Sequence, residues 1–290
     1  MHSLEALPKP VAFAFSGGVA LGAIQVGMLQ AVSEAGIMPD LVIGSSAGAF
    51  NAAFVGRGFN AERVRDLGEV WRGVKRSDVF GYFGLRRIVN ILAKPTALVS
   101  SEALLKFIAA NFPSTYDHQS IPTFVTATDY LSGEALLLSR DDLQTNLLAS
   151  SSIPLVFPPV LIEGRYLIDG SVSAHVPLLP AEKLGARTLV VFDVGYPCNL
   201  RELPRNPLDR ALHVFSIMLH RQPTGALSAL ARDTTVLYLP SPCPLSVPSY
   251  DFSKADSLME SGYGTAKRFL DDLSFSGPGI YGHFHTHAGS

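Results

Sequence analysis

Short apolar runs alternate with stretches of helical periodicity along the first part of the chain. Residues 11–15 and 41–44 are apolar runs of the length expected for buried strands. Residues 20–36 repeat apolar side chains at helical spacing and end at Gly36, a residue that suits a helix C-cap. Residues 47–56 are rich in small side chains and predict a second helix that can pack closely on a sheet. The order strand, helix, strand, helix predicts an α/β fold with a parallel sheet flanked by helices.

The rest of the chain adds further strands and helices to this pattern. Apolar runs predict strands at residues 123–130, 134–139, 166–169, 188–195 and 234–240. Continuous runs such as LVVF are typical of strands that are buried on both faces. Periodicity predicts mostly helix over residues 61–120, a helix within 201–222 and a helix pair or broken helix over 255–273, whereas 240–252 reads as a loop. No repeat or clear linker interrupts the chain, so we expect a single domain over residues 1–290.

Two segments have alternative interpretations. Residues 79–99 carry an apolar stripe with basic residues beside it, which fits a lid, a membrane-facing helix or an ordinary helix packed on the core. The stripe comprises Leu85, Ile88, Val89 and Leu92, and the basic residues are Arg86, Arg87 and Lys94. Residues 276–290 lack periodicity and predict a mobile tail. Its alternating histidines (His283, His285 and His287) are typical of a disordered end, with a metal-binding cluster as the alternative.

Composition narrows the class of protein. Of 290 residues, 47% are hydrophobic and 17% are charged, which supports a sizeable packed core, and the net charge of −2 gives no sign of nucleic-acid binding. The chain shows no signal peptide and no apolar run of ~18 residues, so we expect a cytoplasmic protein that is compatible with peripheral membrane contact. Cys198 and Cys243 occur in no metal or redox spacing; we expect free thiols, with a disulfide between them as the alternative.

Residues 44–48 (GSSAG) place Ser46 between two glycines where the second predicted strand meets its helix. Such a turn holds a hydroxyl above the sheet and at a helix N-terminus, where developing negative charge is favoured. Gly44 and Gly48 relieve crowding around the turn. Ser46 is therefore a candidate nucleophile; the alternative is a structural turn or an N-cap formed by Ser45 or Ser46.

Residues 16–22 (SGGVALG) form a second turn of small residues between the first predicted strand and its helix. Backbone N–H groups of such a turn can point into a cleft, and parallel topology places the two turns side by side. One turn can then supply a nucleophile and the other an oxyanion hole. A phosphate cradle is the alternative, although the G-K-[ST] ending of a P-loop is missing.

A serine nucleophile needs a base, and two candidates lie near one predicted turn. Residues 166–171 (YLIDGS) end a strand at Asp169, and His175 follows closely. A plain turn aspartate is the alternative for Asp169. His118, His213 and His220 have no distinguishing context in the sequence.

Three elements occur in the order SGGVALG, GSSAG and DGS, and together they resemble the patatin-like phospholipase family. The resemblance covers residues 10–195 well and the C-terminal third, about 196–275, weakly. It implies a three-layer α/β/α fold with a mostly parallel central sheet. It also implies an acyl-ester hydrolase of the lipase, esterase or phospholipase type that acts on a lipid or acyl ester through an acyl-enzyme, with no cofactor or metal.

The resemblance carries over residue by residue. Ser46 becomes the nucleophile and Asp169 the general base, without a catalytic histidine, and His175 becomes structural. The oxyanion donors would come from Gly17, Gly18 and Val19. The other motif positions are Gly22, Gly44, Ser45, Ala47, Gly48, Gly170 and Ser171.

Three positions depart from the family pattern. Val19 replaces the third glycine of the first turn, Leu21 replaces its basic residue, and Ser171 replaces the last glycine of the aspartate motif. A β-branched residue tolerates a positive φ poorly, so the first turn is expected to differ in detail. The alternatives are an acyltransferase on the same dyad, a catalytically weakened lipid-binding relative, and a histidine-dependent α/β-hydrolase that uses His213 or His220.

Overall fold

The structure, a computed structural model, describes residues 7–81 and 97–283. Within these residues nine strands form one sheet: β1 (Val11–Phe15), β2 (Leu41–Gly44), β3 (Thr123–Asp129), β4 (Ala135–Leu138), β5 (Val160–Ile162), β6 (Arg165–Asp169), β7 (Thr188–Phe192), β8 (Thr235–Tyr238) and β9 (Ile280–Gly282). The described helices are α1 (Ala23–Glu34), α2 (Ala47–Gly56), α3 (Ala61–Gly73), α4 (Arg76–Phe80), α5 (Glu102–Asn111), α6 (Leu143–Ser150), α7 (Ser171–Ala174), α8 (Leu178–Lys183), α9 (Pro207–His220), α10 (Gln222–Ala229) and α11 (Ala255–Asp272). Short 3₁₀ helices span Val19–Gly22, Tyr116–His118 and Phe252–Lys254.

The strands follow the order β5-β6-β3-β2-β1-β7-β8-β9, with β4 paired to β3. Adjacent strands in the series β3-β2-β1-β7-β8-β9 are parallel. Strands β4 and β6 each pair antiparallel with β3, and β5 pairs antiparallel with β6. The predicted α/β fold with a mostly parallel sheet is confirmed. The carboxyl ends of β1, β2 and β7 lie along the same edge of the sheet, since these strands are adjacent and parallel.

Both faces of the sheet are covered by helices, which gives three layers. Side chains alternate along β1: Phe13 and Phe15 join the core built with α1, α2, α3 and α11, whereas Ala12 and Ala14 join the core built with α8 and α10. All five residues of β1 are buried, as expected for a parallel strand covered on both sides.

Helix α11 lies against α1 at a very close approach that two glycines permit. A Cβ at Gly27 would lie 1.9 Å from the carbonyl oxygen of Met259, and a Cβ at Gly262 would lie 2.2 Å from that of Ile24. The C-terminal part of the chain is therefore packed directly on the helix that follows β1.

Several predicted boundaries need correction. The predicted helix 20–36 begins as the 3₁₀ turn Val19–Gly22 before α1, and it ends as predicted at Gly36, where φ is +72° and the N–H donates to Ser33. Helix α11 is continuous from Ala255 to Asp272 rather than broken, and Gly262 within it permits the close approach to α1. Helix α10 and strand β5 were not predicted.

The C-terminal tail is ordered further than the sequence predicts. Its first part contains β9, which pairs with β8. The sequence did not predict this strand, because the tail shows no periodic pattern of apolar residues. The remainder of the predicted mobile tail, 284–290, and most of the 79–99 segment, 82–96, lie outside the described residues.

The two cysteines lie together on neighbouring loops as free thiols. Burial, and then the hydrogen-bonded Cys198 sulfur, raise the pKa of Cys243. Over the part of the chain that the structure describes, no helix combines the length and the apolar character required to cross a bilayer.

Candidate active site

Ser46 occupies a sharp turn between β2 and α2. Its φ of 53° and ψ of −124° lie outside the regions that non-glycine residues usually adopt. The turn is tight enough to require glycine on both sides: a Cβ at Gly44 would lie 2.2 Å from the carbonyl oxygen of Gly48, and one at Gly48 would lie 2.4 Å from that of Ser16. Ala47 begins α2, so the Ser46 hydroxyl stands at the helix N-terminus.

Hydrogen bonds to the residues around Ser46 hold this strained turn in place. The Ser46 N–H donates to Ser150 Oγ at 2.9 Å. The Ser45 hydroxyl turns away from the site, where it donates to the carbonyl oxygen of Ala174 and contacts the Thr126 hydroxyl. Ser45 is therefore a structural neighbour of Ser46, and of the two hydroxyls only that of Ser46 donates to Asp169.

Asp169 contacts the Ser46 hydroxyl directly. Ser46 Oγ donates to Asp169 Oδ2 at 2.8 Å, and the Ser171 N–H donates to Asp169 Oδ1 at 2.8 Å. Only 1% of Asp169 is exposed. Burial raises its pKa from 3.8 to about 6, against the opposing effect of the hydrogen bonds from Ser171 and Ser46. The group is thus a carboxylate near neutral pH and has an unusually high proton affinity.

Asp169 reaches Ser46 from an antiparallel strand. Strand β6 runs against β3 so that Asp169 pairs with Ala127, whereas Gly44 at the end of β2 pairs with Val125. Asp169 therefore lies just beyond the level at which β2 ends, which is the level of Ser46. Gly170 allows the close approach of the next turn, since a Cβ there would lie 2.3 Å from the carbonyl oxygen of Thr126.

The turn after β1 lies beside the dyad, as its position on the neighbouring parallel strand predicts. Gly17 packs tightly there: a Cβ on it would lie 3.2 Å from Ser46 Cβ and 2.1 Å from Ser171 Oγ. Its N–H donates to the carbonyl oxygen of His175 at 3.2 Å, so this amide is already engaged and is a poor candidate oxyanion donor.

Gly18 and Val19 remain as candidate donors. Within residues 7–81 and 97–283, neither N–H donates a hydrogen bond. Val19 adopts a φ of 53° despite its branched side chain. The backbone therefore keeps a positive φ at this position, although valine replaces the glycine of the family pattern. The side chain of Leu21 is fully buried in the core and brings no charge to the site.

An apolar cavity opens beside Ser46. The volume of this cavity is ≈ 50 Å³. Hydrophobic side chains dominate its wall; the lining residues are Val19, Ser46, Ala47, Phe50, Asn51, Leu67, Val70, Trp71, Val74, Val79, Leu104, Phe107, Phe112, Ser151, Ile153, Phe157 and Phe252. Such a lining suits a hydrocarbon chain attached to a group at Ser46.

The Ser46 hydroxyl hydrogen-bonds to Asp169 directly, and three of the described histidines are the alternative candidate bases. The His175 ring is buried, with Nε2 3.9 Å from Asp193 Oδ1, and burial lowers its pKa to about 4, so the ring is neutral. His213 and His220 lie on α9 (Pro207–His220). Nowhere in 7–81 or 97–283 do three His, Cys, Asp or Glu side chains group closely enough to hold a metal ion.

Sequence reasoning missed four polar residues around the site. Gln25, Asn51, Ser150 and Trp71 all make buried hydrogen bonds there. A faint signal existed for two of them, because Asn51 is the one polar residue in the 47–56 segment and Trp71 is the only tryptophan. Neither observation alone indicates a contact.

Comparisons with known proteins identify similar chains. A family model described as patatin-like phospholipase matches residues 13–182. Patatin-like phospholipase domain-containing protein 6 of Mus musculus is 27% identical over 189 residues, which cover 64% of this chain and 13% of that protein. Lysophospholipase NTE1 of Coccidioides immitis is 25% identical over 290 residues, which cover 93% of this chain and 18% of that protein. The chain thus spans less than a fifth of either relative.

A solved structure supports the fold. VipD from Legionella pneumophila has a TM-score of 0.53 and 15% identity, over 91% of this chain and 67% of that one. The family match covers more than half of the chain and includes, in order, the turn after β1, the Ser46 turn and the Asp169 turn. The chain therefore belongs to the patatin-like phospholipase family.

Proposed function

We propose that this chain is a serine acyl-ester hydrolase in which Ser46 is the nucleophile and Asp169 the general base. One observation carries the proposal: the Ser46 hydroxyl donates a 2.8 Å hydrogen bond to a buried carboxylate, with no histidine between them. A hydroxyl needs such a partner because it is a weak nucleophile until its proton is accepted. The Asp169 pKa of about 6 makes it a stronger base than an ordinary carboxylate while leaving it ionised near pH 7.

The reaction would proceed in two halves. Ser46 Oγ attacks the ester carbonyl carbon as its proton passes to Asp169, and the carbonyl oxygen becomes an oxyanion. The oxyanion collapses, the C–O bond of the leaving alcohol breaks, and Asp169 returns the proton to that alcohol. Water then attacks the resulting acyl-enzyme with Asp169 again accepting a proton, and the free acid leaves as Ser46 is regenerated.

Two backbone amides support charge in both halves. The N–H groups of Gly18 and Val19 are the proposed oxyanion donors, and Gly17 shapes the turn instead of donating. The N-terminus of α2 adds a favourable field at Ser46. Loss of one oxyanion donor in other serine hydrolases costs ~3 kcal/mol of barrier, so the orientation of this turn matters for rate.

The substrate is proposed to be a lipid or related acyl ester. The apolar cavity beside Ser46 would take the acyl chain, and relatives are named as phospholipase and lysophospholipase. Peripheral contact with a membrane surface stays a prediction from the sequence. An acyltransferase would use the same acyl-enzyme, with an alcohol or thiol replacing water in the second half.

The test is hydrolysis of p-nitrophenyl esters from acetate to decanoate by the wild type, Ser46→Ala and Asp169→Asn. Ser228→Ala, an exposed serine on α10, is the matched control. We expect the first two variants to lose activity and the control to keep it. We also expect an alkyl fluorophosphonate to label Ser46, as located by mass spectrometry of tryptic peptides.

Three outcomes would change the assignment. Activity that survives Ser46→Ala would refute the nucleophile. A wild type that neither hydrolyses any ester nor reacts with the fluorophosphonate would favour the lipid-binding alternative. A product that forms only when an acceptor alcohol is added would favour the acyltransferase.

A further inference from the structure

Two buried amide side chains hold both ends of the turn that carries the proposed oxyanion donors. Gln25 Nε2 donates to the carbonyl oxygens of Ser16 at 2.8 Å and Phe192 at 2.9 Å, which fixes the start of the turn beside β7. Asn51 Nδ2 donates to the carbonyl oxygen of Gly22 at 3.0 Å, which fixes the end of the turn. The same amide donates to Gln25 Oε1 at 2.7 Å, so the two side chains act as one unit.

Trp71 links this unit to the cavity. Its indole N–H donates to Asn51 Oδ1 at 2.8 Å, and its ring forms part of the cavity wall. The ring also lies directly on the end of the turn, since a Cβ at Gly22 would be 2.6 Å from Cη2 and Cζ2 of Trp71. Asn51 itself also lines the cavity. Trp71 and Asn51 therefore both form the cavity wall that an acyl chain would contact and fix the position of Gly22.

The polar unit is fully enclosed, which makes its geometry well defined. Gln25 and Asn51 are 0% exposed, and Trp71 is 7% exposed. Both amide groups have their donors and their acceptor oxygen engaged within the unit or on the turn. Buried polar networks whose members are satisfied are rigid, and removal of one member leaves its partner unpaired at appreciable cost.

We propose that Asn51 and Trp71 are positioning residues that hold the turn of the proposed oxyanion donors and that Trp71 links this turn to an acyl chain in the cavity. A chain packed on the Trp71 ring presses it against Gly22 and keeps the indole N–H on Asn51. Asn51 and Gln25 then hold the turn with Gly18 and Val19 aimed at the oxyanion. Binding energy from a remote part of the substrate is thereby used in the transition state and appears in kcat as well as in KM. This inference rests on the proposed function.

The central variant is Trp71→Phe, which keeps an aromatic wall but removes the indole N–H. The wild type is expected to show a higher kcat for p-nitrophenyl octanoate than for the acetate. In Trp71→Phe kcat for the octanoate should fall by about tenfold, the size expected for one hydrogen bond, and the ratio of the octanoate kcat to the acetate kcat should fall with it. Phe107→Leu is the matched control, because Phe107 lines the same cavity and packs edge-on against Phe50. It should change KM for the octanoate and retain the kcat ratio.

Trp71 is the only tryptophan of the chain, so its fluorescence gives a second readout that does not require turnover. Ser46→Ala titrated with sodium octanoate should show a saturable change in tryptophan emission, and sodium acetate should produce none. This measurement stands even if Trp71→Phe fails to fold.

The outcomes separate the inference from the proposed function. Three results would overturn the positioning role and leave the hydrolase assignment intact. The first is an equal loss of kcat for all esters in Trp71→Phe, and the second is a wild-type kcat that is independent of chain length. The third is an emission spectrum that octanoate leaves unchanged. A protein whose tryptophan responds to octanoate but which hydrolyses no ester would refute the proposed function, and with it the dependence of turnover on the cavity.

Discussion

The buried carboxyl of Asp169 should make the native state less stable as the pH rises. Its pKa in the folded chain is about 6, compared with an ordinary value of 3.8. A raised folded pKa means that the native state gains stability from the protonated group below pH 3.8 and loses it as the pH passes through 6. The difference of about two pH units corresponds to ~3 kcal/mol, at about 1.4 kcal/mol per unit.

The variant Asp169→Asn removes this ionisation while keeping the shape of the side chain. Its amide oxygen can still accept the Ser171 N–H. We therefore expect the free energy of unfolding of Asp169→Asn minus that of the wild type to be about 2 kcal/mol larger at pH 8 than at pH 4, because the unfolded carboxyl is already partly ionised at pH 4. The same variant should have lost its esterase activity, so stability and function would change in opposite directions at this residue.

Urea denaturation at one-unit steps from pH 4 to pH 8, followed by circular dichroism, measures this difference. The control is Asp233→Asn, which replaces an exposed carboxyl that pairs with Arg187 on the surface. The control should stay within ~0.5 kcal/mol of the wild type at each pH. A gap between Asp169→Asn and the wild type that is constant across the pH range, or that closes toward pH 8, would refute the raised pKa.

Three further predictions follow from the site and the core. The rate of ester hydrolysis should fall on the acidic side with an apparent pKa near 6, as Asp169 is protonated, and a pH–kcat/KM profile measures this. Ser150→Ala should lower the unfolding free energy by about 1–3 kcal/mol in urea titrations, because it leaves the buried Ser46 N–H without its acceptor. Gly27→Ala should lower the free energy of unfolding by at least ~2 kcal/mol because its Cβ would clash with α11. The control is Gly225→Ala in α10, whose Cβ would meet no atom within 4 Å, so this variant should be as stable as the wild type or more stable by up to ~1 kcal/mol. Equal melting temperatures of the two variants would contradict this packing.

The parts of the site that local chemistry determines could be predicted from sequence. The turn at Ser46 needs glycines at fixed distances along the chain, so a five-residue pattern identifies it. The runs that form β1, β2, β7 and β8 are apolar throughout because both faces are buried, and this too is visible locally.

The parts that depend on distant contacts could not be predicted. No local pattern shows that β6 is antiparallel to β3, although this direction brings Asp169 level with Ser46. The engagement of the Gly17 N–H depends on a carbonyl at His175, and the hydrogen bonds of Asn51 depend on Gln25 and Trp71. These partners are separated by 20 residues or more in the chain, and a single sequence does not reveal the pairs.

The central position of β1 has a consequence for any shortened form of this protein. The family model ends at residue 182, before β7, β8, β9 and α11. A fragment cut there would leave β1 with a free edge of unpaired N–H and C=O groups, and it would strip the close-packed partner from α1. Exposed apolar edges recruit other strands, so such a fragment would aggregate. The segment beyond the residues that the family model matches therefore protects the part of the chain that carries Ser46 and Asp169 from self-association.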